Sequence, residues 1–231
     1  LEGETAYLAY HQCRTLWGEQ ELPSRIHWTS IDAFCDQILS TQRIDCRLRY
    51  NDWVRQKRQI TRSYLEQFQQ AEKEILICCS YFLPGPLLRQ KLAQALKRNV
   101  RVRVILTGIS DVPFAKSAER YLYRWMLNRG IEIYEYQSNV LHAKVSTIDD
   151  RWTTIGSYNL NEVSALASLE ANLDVRDRDF AISTRLLLDQ IIQKDCRSIK
   201  LEEIKHRYGL FSRLGQRLSY YLIHAILWLF T

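Results

Sequence analysis

Hydrophobic and polar residues follow two alternating periods through the middle of the chain. Short runs that are apolar throughout, or at every second position, predict β-strands at 75–79, 100–106 and 131–136. Apolar residues that recur every three to four positions predict helices at 62–73, 87–97 and 113–128. Alternating strands and helices are typical of an α/β domain. Because crossover connections join parallel strands, we predict a mixed, mostly parallel sheet flanked by helices.

A hairpin and a further strand–helix pair follow this series. Two strand-like segments, 143–148 and 151–156, flank the turn-forming residues Asp149-Asp150. A two-residue turn at this point would pair residue 148 with residue 151. A strand at 170–175 and a helix at 182–193 come next.

The same patterns divide the chain into three parts. Residues 1–43 have a mixed pattern, residues 44–196 contain the α/β series, and residues 197–231 are basic and apolar. We predict that the middle part is the domain that carries the chemistry.

Composition narrows the class of protein. The 231 residues are 46% hydrophobic, enough to bury a core, and 8 glycines and 4 prolines exclude a low-complexity chain. The net charge of +6 favours an anionic partner, such as a phospholipid or a nucleic acid. No apolar run is long enough to span a bilayer. The six cysteines lack metal-ligand spacing, and we predict reduced thiols and no cofactor.

Polar side chains suited to phosphate chemistry cluster in the hairpin. His142 and Lys144 are two residues apart on a strand, so both side chains leave the same face. The two-residue turn would place His142 opposite Ser157, with Asn159 one step further along that face. An imidazole, an ammonium group, a hydroxyl and an amide at one end of a sheet offer a base or nucleophile and donors for anionic oxygens.

This segment resembles the signature of the phospholipase D superfamily. The pattern His-x-Lys, four residues, Asp, six residues, Gly-Ser-x-Asn matches at His142, Lys144, Asp149, Gly156, Ser157 and Asn159. A carboxylate eleven residues after the Asn, here Glu170, is a seventh match. Residues 45–180 more broadly resemble the C-terminal half of bacterial cardiolipin synthases, and 1–43 resemble the connection out of a first half.

The resemblance implies a mechanism in which two such motifs share one phosphate. One histidine attacks phosphorus to form a phosphohistidine, and the other acts as the acid and base. In the family the second-half histidine is the usual acid and base, a role that falls to His142. Lys144 and Asn159 would bind the phosphate, Ser157 would assist, and Glu170 would orient His142.

One motif is present where the family has two, with Asp149 and Gly156 as its scaffold residues. The second half would come from an upstream lobe or from a second copy of the chain. Because the chain begins at Leu1 and its opening resembles an inter-lobe connection, we expect an upstream lobe.

The C-terminal segment 208–231 is aromatic, rich in leucine and flanked by arginines. Arg213 and Arg217 share one helical face, and Trp228 lies in a nearly apolar run. These features predict an amphipathic helix at the membrane surface, with contacts from Arg213, Arg217 and Trp228. The alternative is a helix that docks on a partner or on the protein's own core.

The resemblance implies phosphatidyl transfer between phospholipids, with phosphatidylglycerol as substrate. It also implies a peripheral protein on the cytoplasmic face of a bacterial inner membrane, with no nucleic acid as partner. Three alternatives stay open: a phospholipase D-type hydrolase, a phosphodiester nuclease and a half-site that is inert by itself.

Overall fold

The computed structural model describes residues 44–207 and 209–228, which form one nine-stranded sheet and seven helices. The strands are β1 (Asp45–Asp52), β2 (Lys57–Arg58), β3 (Glu74–Cys79), β4 (Arg101–Ile109), β5 (Glu132–Val140), β6 (Lys144–Ile148), β7 (Trp152–Gly156), β8 (Leu169–Arg176) and β9 (Cys196–Ile199). The helices are α1 (Gln59–Gln70), α2 (Pro86–Lys97), α3 (Pro113–Asn128), α4 (Glu162–Leu166), α5 (Arg178–Asp195), α6 (Leu201–Arg207) and α7 (Leu210–Trp228). The predicted connection at 1–43 lies outside the described residues.

The sheet is mixed, with strand order β2-β1-β8-β7-β6-β3-β4-β5-β9. This confirms the α/β class, but the prediction of a mostly parallel sheet is wrong. Only β3–β4 and β4–β5 pair in parallel, and the other six described pairings are antiparallel. The three residues between β6 and β7 are too few for a helical crossover, so these two neighbours pair antiparallel.

Helices cover both faces of the sheet and create two apolar cores. The larger core packs α1, α2 and α3 against one face, with fully buried side chains that include Phe68, Ile77, Leu92, Val104 and Met126. The smaller core packs α5 against the other face through Leu188, Leu76, Cys78 and Ile105. β3 therefore lies between two helical layers, which explains its continuously apolar sequence.

Local signals set the ends of these helices. Pro86 and Pro113 occupy the first turn of α2 and α3, where a missing N–H leaves no helical hydrogen bond unmade. Gly130 adopts φ +87° just beyond α3, the left-handed conformation that ends many helices. The Asp177 side chain caps α5 by accepting the Phe180 N–H at 2.7 Å.

The β6–β7 hairpin forms, but its register differs by one residue from the prediction. Asp149 and Asp150 adopt φ +55° and +52°, as a tight hairpin turn requires, and Arg151 adds an unpaired residue. Ile148 consequently pairs with Trp152, and Val145 pairs with Ile155. If the same register continued to residue 142, that residue would pair with 158 and not with 157, so the predicted pairing of residue 142 with residue 157 is wrong.

The predicted C-terminal amphipathic helix is present as α7. One side packs on α3, where the Tyr121 and Tyr220 rings lie 4.8 Å apart, and the opposite side is exposed. Between the domain and this helix, β9 pairs with β5 and extends the sheet to Ile199, beyond the predicted boundary at residue 196. Among the described residues, no helix has the length and hydropathy to cross a bilayer.

Candidate active site

The motif side chains gather where the chain enters β6 and leaves β7. His142 lies in the loop before β6, Lys144 is the first residue of that strand, and Ser157 follows β7 directly. Lys144 pairs with Cys79 at the end of β3, so the loop after β3 forms another wall of the site.

Lys144 is the buried cation of the site. Its side chain is 7% exposed, and Nζ donates to Ser80 Oγ at 3.3 Å and to the His142 carbonyl at 3.1 Å. Burial lowers the pKa of the ammonium group below its ordinary value, because desolvation disfavours the charged form. A partly desolvated ammonium group gains when an anionic oxygen becomes its partner.

Asn159 faces the same wall. Its Oδ1 accepts the Tyr81 backbone N–H at 3.4 Å and lies 3.6 Å from Cys79 Sγ. In the described part of the chain its NH₂ group has no protein acceptor. The loop after β3 thus engages the carbonyl end of the amide, and the donor end has no partner among the described residues.

His142 differs from these two residues because its side chain is exposed. Among residues 44–207 and 209–228, no side-chain hydrogen bond holds its imidazole. The Asp111 carboxylate lies close enough for electrostatic interaction: a hydrogen bond from the Tyr81 hydroxyl lowers the pKa of Asp111 most, and His142 lowers it further. The described contacts therefore leave the ring accessible.

Glu170, expected to orient His142, has other partners here. Its carboxylate accepts the Ser157 hydroxyl in a short hydrogen bond and the Ser168 hydroxyl at 2.9 Å. Ser157 Oγ also accepts the Ala171 N–H at 3.1 Å. The imidazole and the Glu170 carboxylate share no hydrogen bond in the described structure, so Glu170 acts here on Ser157.

Two motif residues make contacts inside the fold. Asp149 accepts the backbone N–H groups of residues 72–74 at 2.8, 2.8 and 2.9 Å, which ties the hairpin turn to the start of β3. At Gly156 a Cβ would overlap the Ala171 carbonyl and would lie 2.6 Å from the Asn172 Cα. Glycine therefore permits the close approach of β7 and β8.

Sequence reasoning missed three residues that the fold brings to this site. Ser80 contacts Lys144, Tyr81 binds Asn159 through its backbone, and Asn172 Oδ1 accepts the Tyr158 N–H at 3.1 Å. Ser80 and Tyr81 directly follow a predicted strand, which was the available signal. Within the described residues, no three His, Cys, Asp or Glu side chains are arranged to hold a metal ion.

Solved structures identify the fold class. Phosphatidylserine synthase of Haemophilus influenzae superposes with a TM-score of 0.63 at 16% identity, over 90% of this chain and 55% of that one. Nuc of Salmonella typhimurium, a phospholipase D family member, superposes with a TM-score of 0.57 at 19% identity, over 68% of this chain and 99% of that one. The fold is that of the phospholipase D superfamily.

Sequence comparison gives the family. Residues 64–192, more than half of the chain, match the family described as cardiolipin synthase, PLD-like domain, and the chain belongs to that family. Cardiolipin synthase B of Salmonella typhi is 40% identical over 140 residues, which are 61% of this chain and 34% of that protein. Minor cardiolipin synthase ClsB of Bacillus subtilis is 29% identical over 164 residues, 69% of this chain and 40% of that protein. The chain thus spans about a third of the length of the curated relatives it matches most strongly.

Proposed function

We propose that this chain supplies one half of the active site of a phosphatidyl transferase that makes cardiolipin from phosphatidylglycerol. The observation that carries this proposal is the arrangement of Lys144 and Asn159. A buried ammonium group and an amide donor face one site, beside an exposed imidazole. Family membership and the relatives named cardiolipin synthase support the choice of phospholipid as substrate.

The reaction proceeds through a phosphohistidine in two displacements. The histidine of the other half-site attacks phosphorus, and the glycerol headgroup leaves as an alkoxide that takes a proton from the His142 imidazolium. Neutral His142 then accepts the proton of a hydroxyl on a second phosphatidylglycerol, whose oxygen attacks phosphorus and frees the first histidine. The products are cardiolipin and glycerol, and Lys144 and Asn159 stabilise the charge on the phosphoryl oxygens in both steps.

The second half of the site comes from an upstream lobe or from another copy of this chain. The surface beside the motif is suited to such a partner: Ile155 and Leu169 are 45% and 51% exposed. Ile155 pairs with Val145, whose side chain packs on the α5 core, so Ile155 lies on that same face of the sheet. An apolar surface beside an exposed histidine favours burial against a second motif-bearing lobe.

Helix α7 contacts the membrane from the cytoplasmic face of the bacterial inner membrane. Its exposed side carries Phe211, Leu214 and Leu218 at 92%, 62% and 60% exposure. Arg213 and Arg217 are exposed on the same helix, where anionic headgroups would neutralise them. The membrane contact of Trp228, at the end of α7, stays a prediction from the sequence.

The complete protein, incubated with phosphatidylglycerol vesicles, tests the proposal. We expect His142→Ala to lower the rate of cardiolipin formation by about 10³-fold, the scale of general acid–base catalysis. Asn139→Ala, in an exposed position three residues earlier, should stay within about twofold of the wild type.

Product identity separates the alternatives in the same experiment. Phosphatidate in place of cardiolipin would assign a hydrolase, because water would then be the acceptor. Cleavage of added DNA without any lipid product would assign a nuclease. Full activity of His142→Ala would remove the acid–base role.

A further inference from the structure

An apolar cavity of about 630 Å³ adjoins the candidate site. Asn159, Glu170 and Tyr81 line one part of it, and Ile223 and His224 of α7 line another. The apolar walls include Leu83, Val112, Phe114, Ala115, Val163 and Ala167. The cavity thus connects a phosphate-binding amide to the C-terminal helix, and its volume is within the range of ligand pockets.

Large apolar side chains in this cavity are only partly covered by the described residues. Val112, Phe114 and Val163 are 43%, 44% and 43% exposed. A concave surface that exposes neighbouring apolar side chains beside a few polar groups is typical of a ligand site, because an occupant removes that area from water.

A contact between His224 and Glu162 holds the wall formed by α7. His224 Nδ1 lies 2.6 Å from Glu162 Oε2, and the centroids of the tilted His224 and Tyr220 rings lie 4.3 Å apart. Glu162 is confined on its other side, since a Cβ on Gly85 would lie 2.8 Å from Glu162 Oε1. These contacts place Ile223 against the cavity, directly after the exposed Leu222.

We propose that this cavity holds an acyl chain of the phospholipid whose phosphate lies at Lys144 and Asn159. This inference rests on the proposed function and names the part of the substrate that the cavity recognises. A ligand with an anionic end and an apolar body matches a cavity that has Asn159 at its edge and apolar walls beyond. The exposed apolar side of α7 provides a route for the chain from the bilayer to Ile223.

Tryptophan substitutions that fill the cavity test the proposal in the complete protein. Ala115→Trp and Ala167→Trp enlarge lining residues that bind no phosphate. We expect binding of a fluorescent long-chain phosphatidylglycerol to weaken at least tenfold. Turnover of bis(4-nitrophenyl) phosphate, a phosphodiester without acyl chains, should change less than threefold. Leu87→Trp, at a 63% exposed position outside the cavity lining, is the matched control and should change neither.

The outcomes separate this inference from the proposed function. Long-chain binding equal to the wild type in both tryptophan variants overturns the acyl-chain site, as does a cavity already filled by another segment of the protein. If the tryptophan variants weaken binding but the wild-type protein makes no cardiolipin, the acyl-chain site is supported and the proposed transfer reaction is contradicted. If a tryptophan variant fails to fold, Val163→Gln replaces it, because that side chain is already 43% exposed. Long-chain binding within threefold of the wild type in Val163→Gln would also overturn the acyl-chain site.

Discussion

The two ends of the β6–β7 hairpin differ in how firmly the protein holds them. At the turn, Asp149 accepts three backbone N–H groups and its side chain is 4% exposed. At the open end, His142 is exposed and the described residues give its ring no hydrogen bond. Lys144 lies at this open end yet is buried, bound to Ser80 and to the His142 carbonyl.

This difference indicates which parts of the site are preorganised within one half. The cation and the amide donor are already positioned, so the charge stabilisation that we propose would need little rearrangement when a phosphate binds. The imidazole is left open, which suits the proposed role of a group that exchanges protons with two successive ligands beside the histidine of another half. The hairpin turn, far from the chemistry, maintains the register on which Lys144 depends.

The largest expected effect comes from removing the buried cation. Lys144→Met keeps most of the volume and loses the charge, so we expect kcat to fall by about 10³-fold, as for a preorganised donor in a dry site. Thermal unfolding should shift little, since the variant no longer buries an ammonium group. Lys97→Met, at an exposed lysine, is the control. A decrease in kcat of less than tenfold in Lys144→Met would show that another group stabilises the charge on the phosphoryl oxygens.

A medium effect on stability should distinguish the two turn aspartates. Asp149→Asn puts an NH₂ group against backbone donors, and we expect a loss of about 2 kcal/mol in the free energy of unfolding. Asp150→Asn makes the same change at the neighbouring residue, which also has positive φ and forms a partly exposed pair with Arg185 at 2.6 Å. That pair is worth less than about 1 kcal/mol. If denaturant unfolding gave equal losses of free energy for the two variants, the hydrogen bonds of Asp149 would not be what holds the turn.

The sequence predicted the element series well because that information is local. The apolar run 75–79 became β3, and the helix predicted at 113–128 became α3. The fraction of parallel pairing was wrong because periodicity does not specify which strands become neighbours. The register was wrong by one residue because a turn of two left-handed aspartates leaves Arg151 unpaired, which spacing alone does not reveal.

In the candidate site, too, the sequence predicted what depends on local spacing and missed what depends on which strands become neighbours. The motif brought together His142, Lys144 and Asn159 because its spacing encodes one hairpin. Ser80 could not be assigned from the sequence, because its contact with Lys144 depends on the pairing of β3 with β6. The observed partners of Glu170 likewise depend on how β8 approaches the loop after β7.

The smallest expected effect is a shift in the pH dependence of turnover. Burial lowers the pKa of Lys144, so its charge is lost at a lower pH than the ordinary lysine value of about 10.4. Since the proposed role needs the protonated form, kcat/KM should fall as pH rises through this lowered pKa. Two neighbouring groups do not produce this limb, because burial raises the pKa of Cys79 to about 12, and burial with the Asp111 hydrogen bond raises that of Tyr81 to about 12.

Lys144→Arg identifies the group responsible for that alkaline limb. A guanidinium group stays charged well above pH 10, so the limb should move to higher pH even where the bulkier side chain lowers the maximum rate. Normalised profiles of kcat/KM for the two proteins give the comparison directly. If the alkaline limb is unchanged in Lys144→Arg, another group titrates there. The Lys144 ammonium group would then not be the charge on which turnover depends.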